Sequence, residues 1–302
     1  MTKSYLSNLS EQARGLPRSL VRTNPFLNAS RQLRNGWWIL IFFLLMAAML
    51  FPLTFWVKQN GGEVEMWQQA LLGLIAAYGL QRLRRQAFAE MFGQLNGVWV
   101  KQLMIGGLLG AVLMLVPALV LWMGGWVHWQ VDSLSWSVVG IGLASCAAVA
   151  IAEEVVFRGV FLQRLQAGLG IIAAQLIVGA YFWLTHSGNP GMEGNIKLMA
   201  SVNIFLASLM FGLAYWRTKS LAMPLGLHMM ANFVQGNVLG FGVSGHSESG
   251  LLRPDLGDSP IWLTGGQFGL EASLPGLIAV ILCTVYLYRH RSFSQNSAAM
   301  TN

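Results

Sequence analysis

Residues 137–163 read SVVGIGLASCAAVAIAEEVVFRGVFLQ, an apolar run long enough to cross a bilayer as a helix. The run contains two adjacent glutamates, Glu153 and Glu154, although the 302-residue chain has only 12 acidic residues. A carboxylate in hydrocarbon is costly, so an ionisable residue inside such a segment usually marks a functional site. Glu154 and Arg158 have the i, i+4 spacing of a helical ion pair. That pairing leaves Glu153 without a partner on its own helix and makes it the first candidate for chemistry.

The composition is typical of a membrane protein. The chain is 55% hydrophobic and 10% charged, whereas soluble domains carry about 25% charged residues. Its two cysteines, Cys146 and Cys283, lie in apolar runs and indicate small core residues rather than a disulfide or metal framework. The first 35 residues are polar and basic, without the apolar core of a cleavable signal peptide, so we expect the first apolar segment to remain as an anchor.

The apolar segments predict an all-α fold, a polytopic bundle of about eight transmembrane helices. The fourth helix starts near Ser137 and carries the glutamates. The other predicted helices are Trp37–Val57, Met66–Leu80, Leu103–Met123, Gly170–His186, Met199–Trp216, Leu221–Gly240 and Ala272–Tyr288. Gly106 and Gly110 form a GxxxG pattern in the third helix, which favours close helix packing.

The distribution of positive charge predicts the orientation. With both termini cytoplasmic, only Lys58, Lys197 and Arg253 of the 19 Lys and Arg residues fall on the outer side. The net charge of +7 therefore indicates a basic face against an anionic inner leaflet, and nothing else in the chain indicates a nucleic-acid partner. We expect a multi-pass protein of the bacterial cytoplasmic membrane.

Four regions are predicted on this basis. Residues 1–36 form a basic cytosolic segment, 37–136 the first three helices, 137–290 the catalytic core, and 291–302 a disordered tail. The Gly- and Ser-rich outer loop Phe241–Gly269 is either a lid or a plain connector.

Few other polar residues lie inside the spans. His186 ends the fifth helix in YFWLTHSGN, and the seventh helix contains His228 and Asn232 at i and i+4, on one helical face. Either set can serve chemistry or can simply form hydrogen bonds between helices.

Helix geometry tests whether these groups can meet. A hairpin turning at Gly168–Gly170 returns His186 to the level of Glu153, about 24 Å from the turn, at 1.5 Å per residue. His228 lies only about 12 Å beyond a turn at Lys219 by the same rise. The depths agree only if the first hairpin projects beyond the inner membrane surface.

The chemistry of this set suits hydrolysis. A desolvated Glu153 is suited to act as a general base on water with His186, while His228 and Asn232 donate hydrogen bonds to an oxyanion. Glu154 and Arg158 then form a buried pair that aims Glu153. A zinc site of Glu153, His186 and His228 remains an alternative, although the chain has no HExxH motif. A nucleophile at Ser145 or Cys146 is disfavoured, because no His/Asp arrangement surrounds it.

These motifs, EExxxR, FxxxH (Phe182, His186) and HxxxN in this order, resemble the CAAX prenyl protease and bacteriocin-processing family of intramembrane endopeptidases. The segments FGLAYWRTKSLAMPLGLHMMANF and LTGGQFGLEASLPGL also look like parts of that family, so the resemblance covers Leu143 to about Tyr288. It implies a glutamate-dependent peptide hydrolase that acts on a peptide or protein substrate, with or without a lipid. It implies that Glu153 and His186 activate water and that His228 and Asn232 form the oxyanion hole. No cofactor is expected, although zinc stays open because some relatives have been called metalloproteases.

Two other classes of function fit the same residues. A non-catalytic immunity or scaffold protein of this family uses them only for structure. A transporter uses Glu153 and Glu154 as a proton or cation site, but the chain shows no internal symmetry of the kind that transporters have.

Overall fold

The computed structural model describes residues 24–28, 30–132 and 136–290. Most of the predicted basic segment 1–36 and the whole of the predicted tail 291–302 lie outside these residues, so both regions remain predictions. The described part of the chain is mostly helical.

Eleven α-helices are present in the described residues. In chain order they are α1 Asn35–Gln59, α2 Met66–Leu83, α3 Phe88–Phe92, α4 Gly97–Met123, α5 Trp136–Glu154, α6 Gln163–Leu169, α7 Ile171–His186, α8 Gly194–Thr218, α9 Ala222–Phe233, α10 Ile261–Thr264 and α11 Leu274–Arg289. Two π-helical segments, Val155–Leu162 and Val234–Val238, directly continue α5 and α9. Two 3₁₀ turns, Gly266–Phe268 and Leu270–Ala272, lead into α11.

Four helical segments are long and apolar enough to cross a membrane: Asn35–Gln59, Phe88–Met123, Trp136–Leu169 and Ile196–Thr218. Ile171–His186 and Leu274–Arg289 are shorter apolar helices. Large apolar side chains lie exposed on the outside of the bundle, among them Phe51 at 72% and Ile172 at 76%. A membrane protein is therefore indicated, whereas the number of eight spans and the side of each terminus remain predictions.

The contact between α4 and α9 is the most extensive between two helices. It depends on the predicted GxxxG pattern: a Cβ atom on Gly106 or Gly110 would lie 2.1 or 2.2 Å from a backbone oxygen of α9. Gly226 answers from α9, where a Cβ atom would lie 2.0 Å from the Leu103 oxygen. The two backbones therefore touch, and α9 is fixed in depth and rotation before its polar residues are considered.

The predicted hairpin between α6 and α7 is present. α6 ends at Leu169, and Gly170 makes the turn with a φ of 82°, a left-handed conformation that favours glycine. The end of α6 packs against the start of α1, since a Cβ atom on Gly168 would lie 3.5 Å from Asn35.

The all-α prediction needs one correction. Strand β1 (His128–Val131) pairs antiparallel with β2 (Leu252–Asp255), so that His128 faces Asp255 and Val131 faces Leu252. This small sheet joins the α4–α5 connection to the loop 241–269. The sequence predicted this loop to be either a lid or a plain connector. Part of that loop, residues 243–248, lines the main cavity of the bundle.

Candidate active site

A buried ion pair lies at the end of α5. Arg158 Nη1 donates to Glu154 Oε1 at 2.9 Å, and both side chains are completely buried. Arg158 Nη2 also donates to the Ser208 backbone oxygen at 3.1 Å and to Ser208 Oγ at 3.0 Å. The predicted i, i+4 pair is therefore present and is anchored to α8 as well.

Aromatic rings enclose this ion pair. The Arg158 guanidinium carbon lies 4.9 Å from the ring centres of both Phe182 and Phe211, a distance typical of cation–π contacts. Phe211 in turn stacks on His228, with 4.8 Å between ring centres. The rings exclude water from the pair and hold the His228 imidazole at a fixed angle.

Glu154 also binds His228 directly, a contact the sequence did not predict. His228 Nδ1 lies 2.9 Å from the same Glu154 oxygen that accepts from Arg158. An ionised carboxylate only accepts hydrogen bonds, so Nδ1 carries a proton and Nε2 points away from Glu154. Glu154 therefore sets the protonation pattern of His228 as well as pairing with Arg158.

Glu153 faces the opposite way, into the main cavity. Its side chain is 20% exposed and makes no hydrogen bond in the described part of the chain. His186 Nε2 lies 3.8 Å from Glu153 Oε1, and His228 Nε2 lies 3.9 Å from Glu153 Oε2. Two imidazoles from different helices thus flank the two oxygens of one carboxylate.

The His186 ring is oriented by its own helix. Its Nδ1 lies 2.8 Å from the Phe182 backbone oxygen. A carbonyl oxygen only accepts, so Nδ1 donates this hydrogen bond and Nε2 faces Glu153. The Phe182 of the FxxxH pattern therefore acts through both its ring, against Arg158, and its carbonyl.

The depth mismatch expected from helix lengths is resolved by this convergence. Because His186 and His228 both reach Glu153, the Gly170 turn must extend roughly 12 Å further than the Lys219 turn if the helices run parallel. The sequence offered this longer hairpin as the condition for convergence.

Asn232 lies one turn beyond His228 and lines the same cavity. Its side chain forms no hydrogen bond within the described residues, so its amide is free to donate to a ligand. All six residues predicted for the site are thus gathered around one carboxylate: Glu153, His186, His228 and Asn232 on the cavity, and Glu154 with Arg158 behind it.

A model of the Rce1-like family, described as type II CAAX prenyl endopeptidase, matches residues 135–234, about one third of the chain. All six site residues lie within the match. Residues 135–234 are similar to the Rce1-like family. The predicted family resemblance is thereby confirmed for these residues, while the resemblance predicted for residues 235–288 lies beyond the match. No curated protein matches the chain.

The main cavity has a volume of about 1070 Å³ and extends past the matched residues. No Lys or Arg among the described residues lines it. Its acidic lining residues are Glu63, Glu65, Glu153, Glu248 and Glu271. The rest of the wall is largely apolar, so the cavity is suited to a chain with apolar side groups.

The sequence did not assign a role to Glu271, which lies on the cavity wall in the second 3₁₀ turn before α11. Glu271 accepts hydrogen bonds from the Ser244 backbone N–H at 2.5 Å and from Ser244 Oγ at 3.0 Å. Burial raises the pKa of Glu271, and the Ser244 hydrogen bonds act in the opposite direction. An acidic residue inside FGLEASLPGL was the available signal, because a carboxylate among apolar residues is unusual.

Two polar partners are also new. Ser208, which binds Arg158, gives no signal in the sequence because serine is common in buried helices. Cys146 Sγ lies 3.4 Å from Asn237 Oδ1 on the cavity wall, which supports the view that this thiol is not a nucleophile.

The donors for the zinc alternative, Glu153, His186 and His228, all line the main cavity. Among the described residues, no three His, Cys, Asp or Glu side chains are grouped closely enough to hold a metal ion. His228 Nδ1 is taken by Glu154, and each Nε2 lies nearly 4 Å from Glu153. Both Nε2 atoms face Glu153 from the cavity side, so the zinc alternative stays a prediction, with Glu153, His186 and His228 as its donors.

Proposed function

We propose that the protein is an intramembrane endopeptidase in which Glu153 activates water to hydrolyse a peptide bond. The observation that carries this proposal is the placement of two imidazole Nε2 atoms 3.8 and 3.9 Å from opposite oxygens of Glu153, on the wall of a large cavity. These gaps are too long for direct hydrogen bonds and suit a bridging water.

In the proposed reaction, Glu153 takes a proton from the water while His186 Nε2 accepts its second hydrogen bond. The hydroxide oxygen bonds to the carbonyl carbon, whose oxygen becomes an oxyanion. The amide of Asn232 donates to that oxyanion. On collapse the C–N bond breaks, and Glu153 passes the proton to the leaving amine.

The contact of His228 with Glu154 determines when its Nε2 can donate to the oxyanion. Because Nδ1–H is already donated to Glu154, Nε2 donates to the oxyanion only when the ring is doubly protonated. We therefore assign the oxyanion contact to the imidazolium form of His228.

We propose a peptide or protein substrate that reaches the cavity from the membrane, with or without an attached lipid. The apolar wall of the cavity supports this assignment. The positive-inside distribution of Lys and Arg supports a multi-pass protein in a bacterial cytoplasmic membrane with both termini cytoplasmic.

The deciding experiment compares the peptides of membranes that contain the wild-type protein or Glu153→Gln. Peptides that appear only with the wild type identify the substrate and the cleaved bond. Identical peptide sets from two equally abundant, folded proteins would refute the hydrolase and leave a non-catalytic role.

A further inference from the structure

A second cavity, of about 700 Å³, lies between the start of α1 and the α6–α7 turn. One wall belongs to the chain before and within the first turn of α1, and the other to the end of α6. The lining residues are Pro25, Asn28, Arg34, Asn35, Gly36, Trp37, Arg164, Leu165, Ala167, Gly168 and Leu169. No acidic residue in the described part of the chain is among them.

Arg164 supplies unused hydrogen-bond donors to this cavity. It is partly buried, yet in the described part of the chain its guanidinium forms no hydrogen bond and no ion pair. The positive charge of Arg84 acts on it as well, and Glu90 opposes that charge without coming within ion-pair distance. A partly desolvated guanidinium with five free donors is a site that an anion would satisfy.

Arg34 supplies donors from the opposite wall. Its Nε is used to hold the preceding turn, through the backbone oxygens of Asn24 at 2.9 Å and Leu27 at 3.2 Å. Its two terminal nitrogens make no hydrogen bond within the described residues. The side chain is thus anchored at Nε with its outer donors still available, which lowers the entropy lost on binding a ligand.

The position of the cavity indicates which anion it meets. It lies where two candidate membrane spans end, at Asn35 and at Leu169. The rim is apolar: Leu169 is 58% exposed, and Phe26, stacked on Trp37, is 53% exposed. Tryptophan at a span end is typical of the headgroup region.

We propose that this cavity binds the phosphate of an anionic membrane lipid through Arg34 and Arg164, with the acyl chains lying along the apolar rim. Arginine suits this ligand because its planar fork can donate two hydrogen bonds to phosphate oxygens. The site is separate from the Glu153 cavity and does not depend on the hydrolase proposal.

The test titrates the delipidated full-length protein, in neutral detergent, with phosphatidylglycerol and counts bound lipid by native mass spectrometry. We expect one saturable site, about tenfold weaker in Arg164→Gln and weaker again when Arg34→Gln is added. Arg82→Gln, which removes an exposed charge that does not line the cavity, is the matched control and should change the affinity less than about twofold.

Three results would overturn the proposal: unchanged binding in the double variant, an equal loss in Arg82→Gln, or competition by inorganic phosphate at the same concentration as the lipid. The last would show a site for free phosphate. If Arg164→Gln does not fold, Arg164→Lys replaces it, because lysine keeps the charge but lacks the fork, and we expect weakened binding from it too.

Discussion

The two adjacent glutamates of α5 occupy opposite environments. Glu154 is completely buried, and one of its oxygens accepts from both Arg158 and His228. Glu153, one residue earlier, faces a cavity and has no hydrogen bond in the described part of the chain. Glu154 is the partner of the buried Arg158, so Glu153 stays unpaired. An unpaired carboxylate is what a general base requires.

The first prediction concerns Glu153, the glutamate that faces the cavity. Glu153→Gln keeps the shape of the side chain but removes its basicity, so we expect cleavage to fall by about a thousandfold or more with little change in stability. The rate on an identified substrate and the thermal unfolding temperature measure the two effects. Glu63→Gln is the matched control, the same change elsewhere on the cavity wall. Equal losses in both variants would show a general effect of cavity charge.

The second prediction concerns the buried ion pair of Glu154 and Arg158. Arg158→Met leaves Glu154 with an uncompensated buried charge, so we expect the free energy of unfolding to fall by about 3–5 kcal/mol. The double variant Glu154→Gln with Arg158→Met should lose less, because the carboxylate that lost its Arg158 partner is then removed as well. Denaturation of the detergent-solubilised proteins gives the values. A single variant as stable as wild type would show that the pair does not hold the site.

The third prediction concerns α9, the helix that carries His228 and Asn232. Gly226→Ala places a Cβ atom 2.0 Å from the Leu103 oxygen, so α4 and α9 must separate. We expect a loss of about 2 kcal/mol in stability, together with reduced cleavage, because His228 and Asn232 shift. Gly73→Ala in α2 meets nothing within 4 Å and should be neutral or slightly stabilising. The comparison of unfolding temperatures separates backbone contact from helix propensity.

The fourth prediction concerns Glu271 and pH. Because burial raises its pKa, the native chain keeps a proton on Glu271 at pH values where the unfolded chain has lost it. Its contribution to stability therefore decreases as pH rises above the ordinary value of 4.5. From about pH 5 to about pH 8, hydrogen exchange of residues 242–248 should accelerate more than the intrinsic rate does. The excess should correspond to a fall of about 1 kcal/mol or less in the free energy of local opening. In Glu271→Gln this extra acceleration should disappear; if it persists, another group is responsible.

The fifth prediction is the smallest effect. Exhaustive chelation of the purified, active protein should leave the cleavage rate unchanged within about twofold, because no metal-ligand set is grouped around Glu153 in the described part of the chain. Activity that is lost and then restored by zinc alone would contradict the unpaired role of Glu153 and favour the zinc alternative.

Much of the site could be predicted because its signals are local. A carboxylate pair in an apolar run, a glycine turn and a His/Asn pair on one helical face are all visible without tertiary structure. The equal depth of Glu153 and His186 follows from helix rise once the hairpin turn is located at Gly170, whereas the same rise predicts a different depth for His228.

The remaining features depend on contacts between distant segments. β1 and β2 are about 120 residues apart, and HWQV carries no clear strand pattern, so their pairing has no local signal. The contact of Glu154 with His228 requires the rotation of α9, which its glycine packing on α4 sets. The two π-helical segments directly follow the motif residues of α5 and α9. Such bulges are frequent at functional sites, yet no pattern of residue types predicts them.

The glycine contact between α4 and α9 also bears on how a polypeptide enters. Two backbones in direct contact neither slide nor part without losing their packing along several turns. The wall that carries His228 and Asn232 is therefore fixed, and an entrance has to open elsewhere. The segment 242–246 lies on another part of the cavity wall: it is a short hairpin that Glu271 holds against the bundle through Ser244, a non-glycine residue with a φ of 49°. The rigid wall that carries His228 and Asn232 and the hairpin 242–246 are thus separate parts of the cavity lining.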